Sequence, residues 1–162
     1  MGSSKDWVAW WRRFLDLPQD RSRQVEDLLR QRYVEEMQQR DRFRQHAEKM
    51  HYPQFRAKLL QMSSERNIHG ERIGAKIRAL GGSLPNLPEL RATDENSWQQ
   101  LMTALDEENR SADHLTDQLR GIESDYPEVT KFLQQISAEQ RQHRADIRHM
   151  LMRSDPFAFS LA

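Results

Sequence analysis

The link between the second and third of four helical segments is the feature that most limits how this chain can fold. Residues 81–96 contain two prolines and no helical periodicity, whereas the other two connections are tight breaks, His51-Tyr52-Pro53 and Ser124-Asp125-Tyr126-Pro127. Short breaks join antiparallel neighbours, but a link of about 16 residues can reach roughly 50 Å when extended. A helix of about 27 residues is roughly 40 Å long. We therefore expect two helical hairpins joined by one crossover that runs the length of a bundle.

Apolar side chains recur at helical spacing on either side of this link. The pattern predicts helices over residues 20–50, 53–80, 98–122 and 127–152. Gly81 is suited to end the second helix, and Ser97 with Gln100 is suited to begin the third as a capping box. The predicted fold class is all-α, an antiparallel four-helix bundle with one long crossover between helices 2 and 3.

Two terminal segments are expected to lie outside this bundle. The first is a short amphipathic helix over residues 5–17, whose aromatic side chains fall at helical spacing and which ends at Pro18. The predicted domains are a Trp-rich helix over 1–18, a bundle over 19–153 and a tail over 154–162. The tail carries Phe157, Phe159 and Leu161, which suit either a docking peptide or a frayed end.

The Trp-rich helix, with Trp7, Trp10 and Trp11, allows three interpretations. It can dock on its own bundle, contact another subunit or a partner protein, or rest on a membrane surface. Arg12 and Arg13 give only a thin basic face, which makes the membrane the weakest of the three. If this helix binds a partner, we expect that partner to be a second copy of the chain in a homo-oligomer or another protein.

Composition excludes several classes of function. The chain has 25 basic and 25 acidic residues interspersed, which argues against nucleic acid as a partner. It has no cysteine, so a metal site would have to use histidines and carboxylates. No apolar run approaches the length of about 20 residues that a membrane span needs, and no secretory signal is visible. A cytoplasmic protein is therefore expected.

Six polar residues are predicted to face the core. A residue on a core stripe has apolar neighbours one heptad away on either side, as Glu36 has in Leu29 and Phe43. The inward polar set is Glu36, Arg66, His69, Glu108, Gln140 and His143, of which His69 meets this criterion on one side only, since Lys76 follows it. These residues lie near the middle of their helices and should meet at one level. Burying isolated charges costs several kcal/mol each, so the six must form a network, bind metal, or do both.

The same comparison places other polar residues outside the core. Glu65 is expected on a solvated flank and Glu139 on a boundary. Arg40, near Glu36, is expected to be a salt-bridge partner. The remaining histidines are interpreted as ordinary surface or helix-end residues, namely His46, His51, His114 and His149.

This arrangement resembles the ferritin-like superfamily, specifically small bacterial proteins of the rubrerythrin and bacterioferritin type. The resemblance covers about residues 20–153 and rests on the crossover and on the order Glu, x-x-His, Glu, x-x-His. It implies that Glu36 and Glu108 correspond to terminal carboxylate ligands of a dimetal centre, and His69 and His143 to imidazole ligands. The sequence departs from the family at two positions, because Arg66 and Gln140 stand where the carboxylates that bridge the metals are found.

Three states of such a centre stay open. In the first, Arg66 grips Glu36 and Glu108, and the degenerate site needs no cofactor. In the second, one iron, manganese or zinc ion is bound by some of the candidate ligands Glu36, His69, Glu108 and His143. In the third, an offset site uses Glu65 or Glu139, because two side chains four residues apart on a helix can ligate one ion.

These states correspond to different functions. The departures at Arg66 and Gln140 favour a non-catalytic scaffold or interaction protein. Retention of the four candidate ligands favours the alternative that the family implies, a metal-binding protein that oxidises iron or consumes peroxide. A weaker third hypothesis is a bundle that binds a small molecule at its polar centre.

Overall fold

Four helices make up the bundle. The computed structural model describes residues 19–156 and gives helices α1 (Gln19–Lys49), α2 (Pro53–Ala79), α3 (Ser97–Arg120) and α4 (Pro127–Met152), with no strand in this range. Every helix boundary lies within two residues of its predicted position. The predicted all-α bundle is confirmed. The predicted helix over residues 5–17 and the tail from residue 157 onward lie outside the described residues, and the domain boundaries stay predictions.

Local sequence explains where the helices begin and end. Pro53 and Pro127 occupy the first turns of α2 and α4, where a missing backbone N–H costs nothing. The end of α2 is a Schellman motif, in which Gly82 N donates to Ile77 O and Gly81, at a φ of 80°, donates to Arg78 O. The capping box of α3 lies one residue before the predicted one, since it is formed by Asn96 and Gln99.

The crossover over residues 80–96 lies along α1. Arg30 donates to Ser83 O near the start of the link, and Gln45 and Lys49 donate to the carbonyls of Arg91 and Thr93 near its end. The link therefore runs from the end of α2 to the opposite end of the bundle. There, His51 N donates to Ser97 Oγ at the first residue of α3.

Two apolar clusters form the core, one towards each end of the bundle. One contains Leu29, Tyr33, Ile73, Leu115 and Leu133, and the other contains Phe43, Leu59, Leu101, Ala104 and Ile147. In α2, α3 and α4 the inward polar set lies between the two clusters in sequence, and in α1 Glu36 lies beside Met37 at the edge of the first cluster. A polar layer therefore separates the clusters. None of the helices described is both long and apolar enough to cross a membrane.

Candidate site at the centre of the bundle

The inward polar set is buried at the middle of the bundle. Its members are between 0% and 5% exposed, namely Glu36, Arg66, His69, Glu108, Gln140 and His143. Each helix contributes at least one of them, since α1 carries Glu36, α3 carries Glu108, and α2 and α4 carry the rest. The six side chains can therefore be considered as one site.

Arg66 joins the two buried glutamates. Its Nη1 donates to both carboxylate oxygens of Glu36, at 3.0 and 2.9 Å. Its Nη2 donates to both oxygens of Glu108, and the bond to Oε2 is 2.5 Å long. The planar guanidinium presents donors in a fixed fork that matches two carboxylates at once. Arg66 thus lies between the side chains that the sequence proposes as terminal metal ligands.

Gln140 completes the hydrogen bonding of Glu36. Its Nε2 donates to Glu36 Oε1 over 2.6 Å, from the opposite side of the bundle. A glutamine amide can donate this bond, whereas a glutamate at the same position would meet the Glu36 carboxylate as a like charge. Both departures from the family pattern therefore make direct bonds to the same carboxylate.

Arg32 is a fourth buried charge that the sequence analysis missed. It is 1% exposed, and its Nη2 donates to Glu36 Oε1 over 3.2 Å. Its Nη1 contacts Glu35 and donates to Ser111 Oγ on α3. Its heptad neighbours are Val25 and Gln39, so the apolar pattern continues on one side only. The sequence feature that could have identified Arg32 is its position four residues before Glu36, because side chains at this spacing on a helix can form an ion pair.

The two histidines pair with glutamates across α2 and α4. His69 Nε2 lies 2.8 Å from Glu139 Oε2, and His143 Nε2 lies 2.5 Å from Glu65 Oε2. Each glutamate precedes the histidine of its own helix by four residues and contacts the histidine of the other helix. Glu65 and Glu139 stay partly exposed, with side-chain exposures of 39% and 53%. They hold the outer edges of both imidazole rings.

The Nδ1 atoms of the two histidines lie in the buried layer, whereas the Nε2 atoms contact the partly exposed glutamates. His69 Nδ1 lies 3.5 Å from Glu36 Oε2, and His143 Nδ1 is buried with no hydrogen-bond partner among the described residues. Burial lowers the pKa of His143, and the positive charge of Arg66 lowers it further, against the hydrogen bond that the ring donates to Glu65, which raises it. The net effect is a lowered pKa for the His143 imidazole.

The ionisation of Glu36 depends on its cationic neighbours. Burial alone would raise the pKa of its carboxyl, but the charges of Arg66 and Arg32 and the contact with His69 hold that pKa far below its usual range. The buried charges of the layer are then two glutamates, Glu36 and Glu108, and two arginines, Arg32 and Arg66. Their formal charges sum to zero.

Other residues lie differently from their predicted positions. His46 lies in the last turn of α1, as the helix-end interpretation expects, but it is 3% exposed and not at the surface, because the crossover covers the end of α1. His51, His114 and His149 are exposed. Arg40 pairs with Asp41 and donates to Asn67 Oδ1, and no contact between Arg40 and Glu36 is found among the described residues.

Comparison with known proteins decides the family. The model of the ferritin-like domain matches residues 38–154, which is most of the chain. The chain belongs to the ferritin-like family. The matched range includes the residues of the polar layer on α2, α3 and α4, whereas Arg32 and Glu36 on α1 lie before it. No curated protein sequence matches the chain.

A solved structure agrees with this assignment. The ferritin-like chain resembles the bacterioferritin of Desulfovibrio desulfuricans, whose crystal structure describes a diiron site in different catalytic states, with a TM-score of 0.72. The sequences are 18% identical, and the likeness covers 82% of this chain and 81% of the other. At this identity the likeness shows the fold alone.

The residues of this ferritin-like chain do not fit a dimetal centre. The space between Glu36 and Glu108 is taken by the guanidinium of Arg66, which is bonded to all four carboxylate oxygens. Two divalent ions would add four positive charges to a layer whose buried charges already balance. Within residues 19–156, no group of three or more histidines and carboxylates is arranged to hold a metal ion.

Proposed function

We propose that this chain is a ferritin-like module whose centre is closed by an ion network in place of a dimetal centre, and that it acts as a non-catalytic scaffold. The observation that carries this proposal is the contact of one guanidinium with both buried glutamates. In this interpretation Arg66 supplies the positive charge that cations supply elsewhere in the family.

The energetics of buried charges support this interpretation. Leaving a carboxylate unpaired in the core costs several kcal/mol, so Glu36 and Glu108 would destabilise a bundle that lacked a compensating cation. Arg66 and Arg32 provide that compensation within the chain itself. The fold then needs no cofactor to keep its central carboxylates ionised.

The scaffold would act through surfaces away from the polar layer. We infer from the sequence that the aromatic segment over residues 5–17 contacts a second copy of the chain or another protein. Three tryptophans within five residues supply the large apolar area that protein interfaces use.

The decisive experiment is metal analysis of two proteins side by side. After growth with added iron, manganese and zinc, the parent should contain far less than one ion per chain. The double variant Arg66→Glu, Gln140→Glu restores both bridging carboxylates and should gain about two irons per chain. A stoichiometric ion in the parent would overturn the proposal.

A matched control separates site chemistry from charge. Arg78→Glu with Gln135→Glu makes the same charge change on α2 and α4, at exposed positions. This variant should bind no more iron than the parent. If it gained as much iron as the central variant, the uptake would reflect net charge, and the role assigned to Arg66 and Gln140 would be wrong.

A second candidate function is favoured by the inner nitrogens of the histidines. His143 Nδ1 has no hydrogen-bond partner among the described residues and His69 Nδ1 faces Glu36. If the Arg66 guanidinium left the space between the glutamates, these nitrogens could join Glu36 and Glu108 around one iron, manganese or zinc ion. Such a protein could oxidise iron or consume peroxide, as the family implies. About one ion per chain in the parent, lost in His143→Gln, would support this candidate.

A further inference from the structure

A second polar site lies beneath the crossover, away from the polar layer. A partly open cavity of about 260 Å³ is lined by residues of α1, by residues 89–95 of the crossover and by Thr103 of α3. Its walls include the side chains of His46, Leu90 and Thr93. A cavity of roughly 150 Å³ can hold benzene, so this one has room for a molecule built on a single ring.

The walls of this cavity carry buried polar atoms without partners. His46 is 3% exposed, and neither of its ring nitrogens has a hydrogen-bond partner among the described residues. The hydroxyl oxygen of Thr93, on the facing crossover, is also buried without one. Most buried polar groups in proteins are hydrogen-bonded, and an unsatisfied one costs about 1–3 kcal/mol. Both residues line the cavity, so a molecule bound there could give these buried atoms hydrogen-bond partners.

The protonation state of His46 defines what the site offers. Burial lowers the pKa of His46 to about 4, and the nearby charges of Arg42 and Lys49 contribute to this decrease. At neutral pH the imidazole is therefore uncharged, with one nitrogen as a donor and the other as an acceptor. The Thr93 hydroxyl can act in either role.

The charges around the cavity cancel. Arg42 and Arg91 line it together with Glu89 and Glu95. Arg42 is paired with Glu107 on α3, and Glu95 accepts a hydrogen bond from Thr103 Oγ1. Lys49 donates to the carbonyl of Thr93. The lining therefore offers two charges of each sign and no excess of either, and no group suited to a metal is found within residues 19–156.

We propose that this cavity binds a small uncharged organic molecule, of about the size of one ring, that both donates and accepts hydrogen bonds. A primary amide on an apolar ring has this chemistry. Its amide can bond to His46 and Thr93 while its ring lies against Leu90. The site is independent of the polar layer and of any metal there.

Three probes of nearly the same shape test the chemical class. Benzamide is uncharged, benzoate is an anion and benzamidine is a cation. The full-length protein, with its six histidines labelled at Cε1, is titrated with each probe at pH 7 and followed by NMR. Benzamide should shift the His46 signal saturably, and it should bind at least about tenfold more tightly than either charged probe.

Variants identify the residue that responds. His46→Leu assigns the signal and should weaken benzamide binding about tenfold, because leucine can neither donate nor accept the buried hydrogen bond. His149→Gln changes an exposed histidine on α4 and should leave binding unchanged.

Several outcomes would overturn the proposal. One is the absence of a saturable shift with any probe, which would leave the cavity to water. Another is tighter binding of benzoate with a rise in the pKa of His46, which would make it an anion site. Equal binding of benzamide by the parent and His46→Leu would place the ligand elsewhere. The titrations of the parent decide the chemical class even if His46→Leu does not fold.

Discussion

Single residues decide the chemistry at the centre of this bundle. A guanidinium stays charged at any pH that a protein tolerates, so Arg66 cannot leave the layer by losing its proton. Burial lowers the pKa of Arg66, but the adjacent carboxylates of Glu36 and Glu108 raise it overall. One arginine therefore gives both buried glutamates a partner, which explains how a ferritin-like layer can hold together without bridging carboxylates.

Replacing Arg66 should show how far the stability of the fold depends on its pairing with Glu36 and Glu108. In Arg66→Met, Glu36 and Glu108 lose their shared partner, and we expect a loss of about 3–5 kcal/mol of unfolding free energy at pH 7. The loss should shrink at pH 5, because unpaired buried carboxylates take up protons and become neutral. Urea unfolding at the two pH values measures both effects.

Two further variants control for packing. Arg110→Met removes an ion pair whose partners are mostly exposed, and it should change stability by less than about 0.5 kcal/mol. Adding Glu36→Gln and Glu108→Gln to Arg66→Met should recover part of the lost stability. If the triple variant were as unstable as Arg66→Met, the shape of the Arg66 side chain and not its charge would explain the loss of stability.

His46 should make the fold sensitive to acid. Its pKa is about 4 in the folded chain and near 6.5 when exposed. Above pH 6.5 neither state is protonated and stability is complete. Between pH 6.5 and 4 the unfolded chain binds a proton that the folded chain does not, so stability falls by up to about 3 kcal/mol as the pH decreases.

The variant His46→Gln should lose this component. Between pH 7 and pH 5 its unfolding free energy should fall by about 2 kcal/mol less than that of the parent. His149→Gln, at an exposed position, should follow the parent. Identical pH dependence in all three proteins would show that His46 is not protected from protonation. The lowered pKa of Glu36 adds a separate loss of stability below about pH 4.5 in each of them.

At the scale of elements, the ends of the helices and the crossover determine how the bundle is assembled. The crossover has no periodicity of its own, and it is held by side chains of α1 that donate to its carbonyls. Its last residue, Asn96, then starts α3 with reciprocal bonds to Gln99. Asn96 Nδ2 also donates to Pro156 O beyond the end of α4. One side chain thus connects the crossover, α3 and the start of the tail.

Substitutions at Asn96 should separate these contacts. Asn96→Ala removes the cap and the bond to Pro156, and we expect a loss of about 1 kcal/mol. Asn96→Asp keeps an oxygen that can accept from Gln99 N, so it should stay within about 0.5 kcal/mol of the parent. Chemical denaturation of the three proteins is the measurement. A loss as large in Asn96→Asp as in Asn96→Ala would assign the stability to the Pro156 contact and not to the cap.

At the scale of the whole molecule, a charged layer separates two apolar clusters. Each cluster has contributions from all four helices, and the layer between them is joined across the bundle by Arg32, Arg66 and Gln140. A layer of this kind favours one alignment of the four helices, because sliding a helix would leave a charge without its partner. The network therefore contributes to the uniqueness of the fold as well as to its charge balance.

Assembly is the property of the whole molecule that the proposed scaffold role depends on. We expect the full chain to self-associate or to bind a partner through its aromatic segment. The variant Trp7→Ser, Trp10→Ser, Trp11→Ser should therefore have a lower mass by light scattering if the chain is a homo-oligomer. Met152→Ser removes a side chain that is 80% exposed on α4, and it should leave the mass unchanged. A parent that is monomeric at high concentration would contradict self-association.

Periodicity alone identified much of this architecture. The helices, their antiparallel pairing and the crossover follow from local patterns of apolar residues, prolines and glycines. The heptad neighbours of Glu36 and Glu108 are apolar in the sequence, and both glutamates are buried in the structure. Such patterns are readable because the inward face of a helix repeats along its own chain. The role of the candidate ligands in binding metal stays a prediction.

Other features depended on contacts between segments far apart in the chain. Arg32 can be buried because Glu35 balances its charge and Ser111 Oγ accepts a hydrogen bond from it. Its heptad neighbour Gln39 interrupts the apolar stripe, so the sequence pattern did not indicate this burial. His46 is buried because an aperiodic crossover lies over it. The exchange of glutamate partners between His69 and His143 depends on how α2 and α4 are aligned. By itself the sequence determined which face of each helix points inward. Only the tertiary structure decided which side chains meet, because helical periodicity contains no information about the relative alignment of helices or the path of an extended segment.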